Sequence, residues 1–260
     1  MTALVAINFP DAIQSRLAAG RLPRFGPLLM LFARPALALL AQALTLLILT
    51  QLNVSNAVVA VRNWWSVYGT LIDLGCLGLL LWLTRREGIR LGDLIAFSRN
   101  KLKTDIPLGL GIFIIVFPIT VFGGGMLARL IAYGSLNPVL PEATFIRVLP
   151  LLGVLYSRLL FWPLWSVTEE LTYNGYALPR LKAITRSPWL SVALVCFFWS
   201  IQHSFLPWVN PQHALYLFIT FVPLTIVLQL IYLRVRRLTP LILGHWLMDL
   251  VSVLFMLQIG

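Results

Sequence analysis

Five ionisable side chains lie inside long apolar stretches in the carboxyl-terminal half of the chain. They are Glu169, Glu170, His203, His245 and Asp249. Placing one such group in hydrocarbon costs roughly 2.5–3.5 kcal/mol on insertion scales, so each is a candidate for a functional role. The whole chain has only nine acidic residues and three histidines. The concentration of these five in three apolar segments therefore indicates a shared chemical site.

These residue types could hydrolyse a peptide bond. A carboxylate in a low-dielectric pocket beside a second carboxylate can act as a general base toward water. Histidine can hold that water or stabilise a developing oxyanion. Metal activation is the alternative, with Glu169, His203 and His245 as zinc ligands, because histidine and carboxylate commonly bind zinc. No close ligand spacing such as H-E-x-x-H is present, so the prediction is a site that requires no cofactor.

Each of these residues also has a structural explanation. A lone histidine in a helical bundle is usually a hydrogen-bonded structural residue, and an adjacent glutamate pair near a helix end is usually solvated. If the three segments touch, however, the five groups can share one polar cavity, which offsets their burial cost. His245 and Asp249 already share a helical face because they are four residues apart. The functional interpretation therefore depends on the three segments packing side by side.

Composition places these groups in a membrane protein. Of the 260 residues, 59% are hydrophobic and 11% are charged, whereas about a quarter are charged in soluble domains. A helix needs about twenty apolar residues to cross a hydrocarbon layer of about 30 Å. We therefore predict an all-α polytopic transmembrane bundle with about seven spanning helices, over residues 26–52, 64–84, 106–133, 148–177, 188–206, 214–233 and 239–259. Residues 11–22 fit an amphipathic helix on the inner surface.

The net charge of +11 reflects topology rather than binding to nucleic acid. Fifteen of the twenty basic residues fall in four short segments that alternate with poorly basic ones: Arg16, Arg21, Arg24; Arg85, Arg86, Arg90, Arg99, Lys101, Lys103; Arg180, Lys182, Arg186; and Arg234, Arg236, Arg237. By the positive-inside rule these segments are cytoplasmic. We therefore predict a cytoplasmic amino terminus, a carboxyl terminus outside, and membrane lipid as a partner.

The predicted organisation is a cytoplasmic segment over residues 1–25 followed by one transmembrane bundle over residues 26–260. The first part lacks the clean apolar core of a cleavable signal peptide. Cys76 and Cys196 lie in apolar runs, where a small, soft side chain packs well, so no disulfide or metal role is expected. Oligomeric state is not predicted.

For the other charged and polar residues we predict positions or partners and no catalytic role. Arg34, near the inner end of the first span, is expected to reach the headgroups. Asp73 lies near mid-membrane, and Arg129 and Arg158 are expected to pair with it or to reach an interface. His213 is expected at the surface, in an outer loop.

Three sequence blocks resemble the CPBP family of intramembrane proteases, named for CAAX prenyl proteases and bacteriocin-processing enzymes and also called Abi or type II CAAX proteases. The family pattern is E-E-x-x-x-R, then F-x-x-x-H, then H-x-x-x-N or H-x-x-x-D, on core helices. Here the blocks are residues 169–174, 199–203 and 245–249. The resemblance covers about residues 150–255, which would form the catalytic core. It also implies a prokaryotic plasma membrane.

The resemblance implies a role for each of the five residues. Glu169 would be the base that activates water, and His203 would complete that activation. Glu170 would support the first carboxylate. His245 and Asp249 would line the opposite wall and stabilise the tetrahedral oxyanion, with Asp249 orienting His245 because a carboxylate accepts hydrogen bonds.

Two positions depart from the family pattern. Asn174 replaces the arginine, which would be placed to pair with Glu170 four residues earlier. Trp199 replaces the phenylalanine, a change between large aromatic residues.

Three functions follow from these residues. The first is an intramembrane endopeptidase that cleaves a membrane-associated peptide or protein entering from the cytoplasmic side. The second, motivated by Asn174, is a catalytically inactive relative that acts as a membrane-embedded binding or immunity protein. The third is a proton-coupled transporter, suggested by Asp73, Asp249 and the glutamate pair. The lack of broken helices in matching halves of the chain argues against the transporter.

Overall fold

The structure, a computed structural model, describes residues 7–141 and 147–259 and is built almost entirely of helices. The first half contains α1 Pro10–Ala18, α2 Gly26–Gln51, α3 Ala57–Asn63, α4 Trp65–Glu87, α5 Leu102–Pro118 and α6 Gly125–Tyr133. The second half contains α7 Leu151–Tyr156, α8 Trp162–Glu170, α9 Leu178–Thr185, α10 Pro188–His203, α11 Pro211–Val235 and α12 Thr239–Met256. The all-α prediction is confirmed. Residues 1–6 of the predicted amino-terminal segment lie outside the described residues.

Several helices continue into one another. The π-helical segments Ile119–Gly124, Ser157–Phe161 and Leu171–Ala177 join α5 to α6, α7 to α8 and α8 to α9. Two 3-10 turns, Leu91–Ile95 and Arg99–Lys101, connect α4 to α5. The two short strands β1 Arg147–Leu149 and β2 Leu257–Ile259 pair in parallel. Helices suit an apolar surrounding because each satisfies its own backbone hydrogen bonds.

Five helical stretches in the described residues are long and apolar enough to cross a membrane. They are Gly26–Gln51, Trp65–Glu87, Leu91–Tyr133, Leu151–Thr185 and Pro211–Val235, and Thr239–Leu254 is a shorter apolar helix. The basic segments all lie at one end of these helices, which we call the basic end. The opposite end carries the start of α4 and the connection between α10 and α11. Five of the seven predicted spans therefore reach full length.

The fourth apolar stretch continues past the position where we predicted that it ends. Residue 177 was the expected end because Pro179 follows, but the helix runs on to Thr185. Proline lacks the N–H that would bind the carbonyl four residues earlier, which is that of Gly175. The Gly175 carbonyl instead accepts from Arg180 Nη1 at 3.3 Å and from Asn8 Nδ2 at 3.1 Å. Side chains thus replace the missing backbone donor.

Local signals set the turns between helices. The Ser187 side chain accepts from the Leu190 backbone N–H and caps α10, and Asn210 accepts from the His213 N–H and caps α11. Side-chain oxygens at this position satisfy N–H groups that a helix leaves unpaired. Gly88 and Gly134 follow α4 and α6 with φ of +72° and +69°, a conformation that glycine adopts without strain.

The helix α1, Pro10–Ala18, overlaps the first part of the predicted 11–22 segment and is attached to the basic end of the bundle by a buried polar network. Arg180 binds both oxygens of Glu87, at 2.7 Å each, and Arg16 approaches Glu87 at 3.3 Å. Asn8, just before α1, donates to the Tyr232 hydroxyl at 3.0 Å. These contacts join α1 to α4, α9 and α11.

Glycines allow α5 and α12 to pack at short range. A Cβ on Gly244 would lie 2.7 Å from Ile112 Cγ2 and 2.9 Å from the Gly109 carbonyl oxygen. Small residues permit such close approach in membranes, where packing rather than hydrophobicity drives helix association. The close contact fixes α12 and, with it, His245, which is the next residue along the chain.

Replacing Arg180 with methionine is expected to destabilise the fold by about 3–5 kcal/mol, because Glu87 would keep a buried charge without its bidentate partner. Thermal unfolding of the purified protein in detergent measures the change. Arg85→Met alters an exposed arginine on the same helix as Glu87 and should leave the unfolding temperature nearly unchanged. Equal losses in the two variants would contradict this assignment of the ion pair.

Candidate active site

Helices α8, α10 and α12 bring all five predicted residues into one cluster. His245 Nε2 lies 3.4 Å from Glu169 Oε2 and 3.8 Å from Asp249 Oδ2. His245 Nδ1 lies 3.1 Å from Glu170 Oε1, and His203 Nε2 lies 4.0 Å from Glu169 Oε1. The condition on which the functional interpretation depends is therefore met by the packing of these helices.

Glu169 is the centre of this cluster and is fully buried. Trp199 Nε1 donates to its Oε2 at 2.9 Å, and the Gln202 side-chain amide donates to its Oε1. The Tyr173 hydroxyl donates to Gln202 Oε1 at 2.8 Å, which turns the amide nitrogen of Gln202 toward Glu169. Tyr173 also stacks on Trp199, with ring centroids 4.7 Å apart. The two donors to Glu169 are thus themselves held in place.

Glu170 is also fully buried, and its partners differ from those of Glu169. Asn174 Nδ2 donates to Glu170 Oε2 at 2.7 Å, and His245 Nδ1 lies beside Oε1. The position that departs from the family arginine therefore still contacts the second glutamate, through an amide instead of a cation. His245 lies between the two glutamates and can donate from both ring nitrogens.

His203 and Asp249 are the members of the cluster with partial exposure. Their side chains are 13% and 17% exposed, whereas that of His245 is 3% exposed. The His203 ring stacks on Phe221 of α11, with centroids 3.7 Å apart and planes 13° apart. This contact fixes the ring so that its Nε2 faces Glu169.

An arginine from the amino-terminal half reaches the same glutamate. Arg34 Nη2 donates to Asp73 Oδ1 at 3.0 Å and lies 3.5 Å from Glu169 Oε1. Its guanidinium lies over the Trp165 ring, 4.3 Å from the centroid. Arg34 and Asp73 are both fully buried. A cation from α2 and a carboxylate from α4 thus lie beside the cluster.

Two structural expectations are wrong in this region, those for Arg34 and His213, and one of the two alternatives for Arg129 and Arg158 is excluded. Arg34 does not reach the headgroups, because it is enclosed by Asp73, Glu169 and Trp165. Asp73 forms its ion pair with Arg34, so it is not the partner of Arg129 or Arg158 among the described residues. His213, expected at the surface, is only 2% exposed.

Sequence reasoning also missed the donors to Glu169. Trp199 was interpreted only as an aromatic replacement, although its indole N–H is a donor that phenylalanine lacks. Gln202 was not selected at all. Arg34, which also lies beside Glu169, was missed as a site residue as well. The signal for Arg34 was the cost of burying Arg34 and Asp73 in apolar segments, which indicates that each has a polar partner.

A cavity of about 280 Å³ lies beside the cluster and extends toward the end opposite the basic segments. His203, His245 and Asp249 line its inner part, and Arg129 and His213 line the outer part. Much of the remaining wall is apolar, with Trp65, Trp162, Trp165, Phe117, Leu217 and Met248 among the lining residues. Glu169 lies one layer behind this wall. A ligand in the cavity would therefore meet the two histidines before the glutamate.

The region that forms the cluster matches a known family. Residues 148–251 match the family described as type II CAAX prenyl endopeptidase, Rce1-like. Over these residues the chain is therefore similar to the type II CAAX proteases of the CPBP family. The resemblance noted from the three sequence blocks is thereby confirmed, and with the apolar helices it shows an integral membrane protein. No curated protein and no solved structure matches the chain.

The family match covers only part of the residues around Glu169, because it begins at residue 148. Helices α2 and α4, which carry Arg34 and Asp73, precede the matched region. The CPBP region therefore supplies the glutamates and histidines, whereas the buried ion pair beside Glu169 comes from the part of the chain that the match does not cover.

Replacing Arg34 with methionine is expected to destabilise the protein by about 3–5 kcal/mol, because Asp73 and Glu169 would keep buried charges without their shared cation. The double variant Arg34→Met/Asp73→Asn should recover part of this loss, since one of the two carboxylates is then neutral. Thermal unfolding in detergent measures both. Arg24→Met, at an exposed arginine, is the control, and a double variant no more stable than the single one would contradict the shared ion pair.

Proposed function

We propose that the protein is an intramembrane endopeptidase that hydrolyses a peptide bond of a membrane-associated peptide or protein. The match of residues 148–251 to the type II CAAX prenyl endopeptidase family supports a CAAX-protease-like peptidase. The observation that carries the finer proposal is the convergence of Glu169, His203 and His245 at the inner part of a cavity with largely apolar walls. Such a cavity suits an apolar peptide segment.

Glu169 is the proposed base because its surroundings leave room for water at one side. Each carboxylate oxygen offers two acceptor positions. Trp199 and Gln202 fill one position on each oxygen. The contacts to His245 at 3.4 Å and Arg34 at 3.5 Å are longer than an ordinary hydrogen bond of 2.7–3.2 Å. His245 and His203 both line the cavity, whereas Arg34 does not, so water approaches Glu169 between the two histidines.

The reaction then needs one proton transfer in each direction. Glu169 takes a proton from the water as the water oxygen bonds to the scissile carbonyl carbon, and the carbonyl oxygen becomes an oxyanion. The carbon–nitrogen bond then breaks, and Glu169 returns the proton to the leaving nitrogen. General acid–base catalysis of this kind contributes about 10²–10⁴-fold to a rate.

His245 and His203 have separate proposed roles. His245 is held by Glu170 at Nδ1, so its Nε2 is the donor available to the oxyanion. Asp249, four residues later, orients that ring from the cavity side. His203, fixed by its stacking on Phe221, holds the water against Glu169. A preorganised donor aimed at an oxyanion is worth about 10²–10³ in kcat.

We propose that water at this site is activated without a zinc ion held by Glu169, His203 and His245. His203 lies beside Oε1 of Glu169 and His245 beside Oε2, so the two nitrogens approach different oxygens. Across residues 7–141 and 147–259, no group of three or more His, Cys, Asp or Glu side chains is placed to hold a metal ion. The proposed mechanism therefore uses the protein side chains and water.

The proposed cellular setting follows from charge and family. The basic end faces the cytoplasm, which places the amino terminus inside and the carboxyl terminus outside a prokaryotic plasma membrane. Lipid surrounds the bundle, and peptide or protein is the substrate.

The alternative is a catalytically inactive relative that binds a membrane peptide or acts in immunity, and the observation that favours it is Asn174. In the structure Asn174 donates to Glu170 at 2.7 Å, so the second glutamate keeps a partner without the family arginine. This contact supports the enzyme. Retention of a full cellular phenotype by a variant with Glu169, His203 and His245 all replaced would favour the inactive relative instead.

Replacing Glu169 with Gln is expected to lower cleavage by at least about 100-fold, because an amide cannot take a proton from water. The measurement uses protein reconstituted in liposomes and a mixture of synthetic peptides, with and without a prenylated cysteine, and mass spectrometry of the products. Asp11→Asn makes the same chemical change at an exposed carboxylate and should retain full activity. Equal turnover by wild type and Glu169→Gln would end the mechanism.

Metal chelation tests the choice between water activated by glutamate and water activated by zinc. Incubating the reconstituted protein with 1,10-phenanthroline, followed by gel filtration, is expected to leave the cleavage rate within about twofold of the untreated rate, since Glu169 takes the proton directly. Loss of activity that added zinc restores, together with one zinc per chain by elemental analysis, would show the metal mechanism instead.

A further inference from the structure

The cavity beside the cluster contains a cation with no assigned role. Arg129, on α6, lines the cavity with the two histidines of the cluster. It forms no ion pair among the described residues, and its one hydrogen bond there is a 3.5 Å contact from Nη1 to the Leu136 carbonyl. Its Nε is buried and has no hydrogen-bond partner in the described part of the chain. A guanidinium has five N–H donors, so most of its binding capacity remains.

Contacts between helices show how far Arg129 lies from the cluster along the helix axis. The backbone of Gly124 packs directly against the Thr220 carbonyl of α11. The next residue of α11, Phe221, stacks on His203. Arg129 follows Gly124 by five residues, or about 7.5 Å along a helix. An extended peptide covers that distance in about two residues, so one peptide can contact both His203 and Arg129.

The residues that line the cavity show toward which end of the bundle it extends. Its residues on α11 run from His213 to Leu224, in the half of that helix far from Arg234 and Arg236. His203 lines the cavity from the end of α10, and Leu206 and Pro207 line it from the connection to α11. None of the fifteen residues of the basic segments lines it. The path to the cluster therefore starts at the end opposite the basic segments.

Resting on the proposed endopeptidase function, we propose that the substrate peptide enters from the end of the bundle opposite the basic segments, with a carboxylate of the peptide bound by Arg129. The orientation is the reverse of the cytoplasmic entry expected from the sequence. The apolar walls contact the apolar side chains of the peptide, and the guanidinium of Arg129 donates hydrogen bonds to the peptide carboxylate. The carboxylate is either a free carboxyl terminus or an acidic side chain, since both present the same two oxygens to a guanidinium.

A labelling experiment tests the entry side without any substrate. Leu217, in the cavity wall, and Arg99, exposed at the basic end, are replaced separately by Cys, and intact cells are treated with a membrane-impermeant maleimide. Wild type gives the background, because Cys76 and Cys196 are buried. We expect Leu217→Cys to react on intact cells and Arg99→Cys only after permeabilisation. Reaction of Leu217→Cys only after permeabilisation would overturn the proposed entry side.

A binding experiment tests the carboxylate. Fluorescent apolar peptides are compared in three forms: one with a free carboxyl terminus, one amidated, and one amidated with a single glutamate. Binding is measured in the Glu169→Gln background, with and without Arg129→Gln. We expect Arg129→Gln to weaken at least one of the charged forms by about tenfold or more and to leave the neutral form unchanged. The charged form whose binding Arg129→Gln weakens shows whether the bound carboxylate is a carboxyl terminus or an acidic side chain.

The control is Arg158→Gln. Arg158 is also a partly buried arginine, but it does not line the cavity. It should change none of the three affinities. Equal weakening of all three peptides by Arg129→Gln, or of none, would overturn the role of Arg129. Carboxylate-dependent binding by a wild-type protein that cleaves no peptide would sustain this inference and remove the endopeptidase proposal, so the two failures are distinguishable.

Discussion

The structure depends on one requirement, which is that a fully buried carboxylate at Glu169 must be surrounded by donors. In an apolar surrounding a carboxylate without partners is far too costly to retain. Trp199 and Gln202 donate to its two oxygens, and Arg34 lies near Oε1 and His245 near Oε2. Because these four residues come from α2, α10 and α12, satisfying Glu169 on α8 fixes four helices relative to one another. The site is thus also a structural centre of the bundle.

Much of this arrangement could be predicted from the sequence, and the part that could not has a physical reason. The hydropathy pattern predicted about seven spans, of which five are long enough to cross a membrane in the part of the chain that the structure describes. The grouping of Glu169, His203 and His245 followed from the rarity of such residues in apolar segments. Sequence spacing gives the face of a helix on which a residue lies, but not the helix that it meets. Arg34 illustrates this, because nothing within α2 indicates that it faces Asp73 and Glu169 and not the headgroups.

Two further differences have the same origin in long-range contacts. The helix passes Pro179 because Asn8 and Arg180 donate to the Gly175 carbonyl, and Asn8 is 167 residues away from Gly175 in the chain. Trp199 replaces the family phenylalanine with an indole, and the ring N–H of that indole donates to Glu169. In both cases a local rule was applied correctly, and a distant partner decided the outcome.

The replacement of the family arginine by Asn174 can be understood from the charges around the glutamate pair. An arginine at that position would bring a second buried cation near a cluster that already contains Arg34. Asn174 donates one hydrogen bond to Glu170 and adds no charge, while Arg34 and Asp73 form their own pair beside Glu169. The cation is thus supplied from α2, outside the matched region, and it acts on the first glutamate instead of the second. Within residues 148–251 Glu170 has Asn174 and His245 as partners, and Arg34 from outside that region adds a cation beside Glu169.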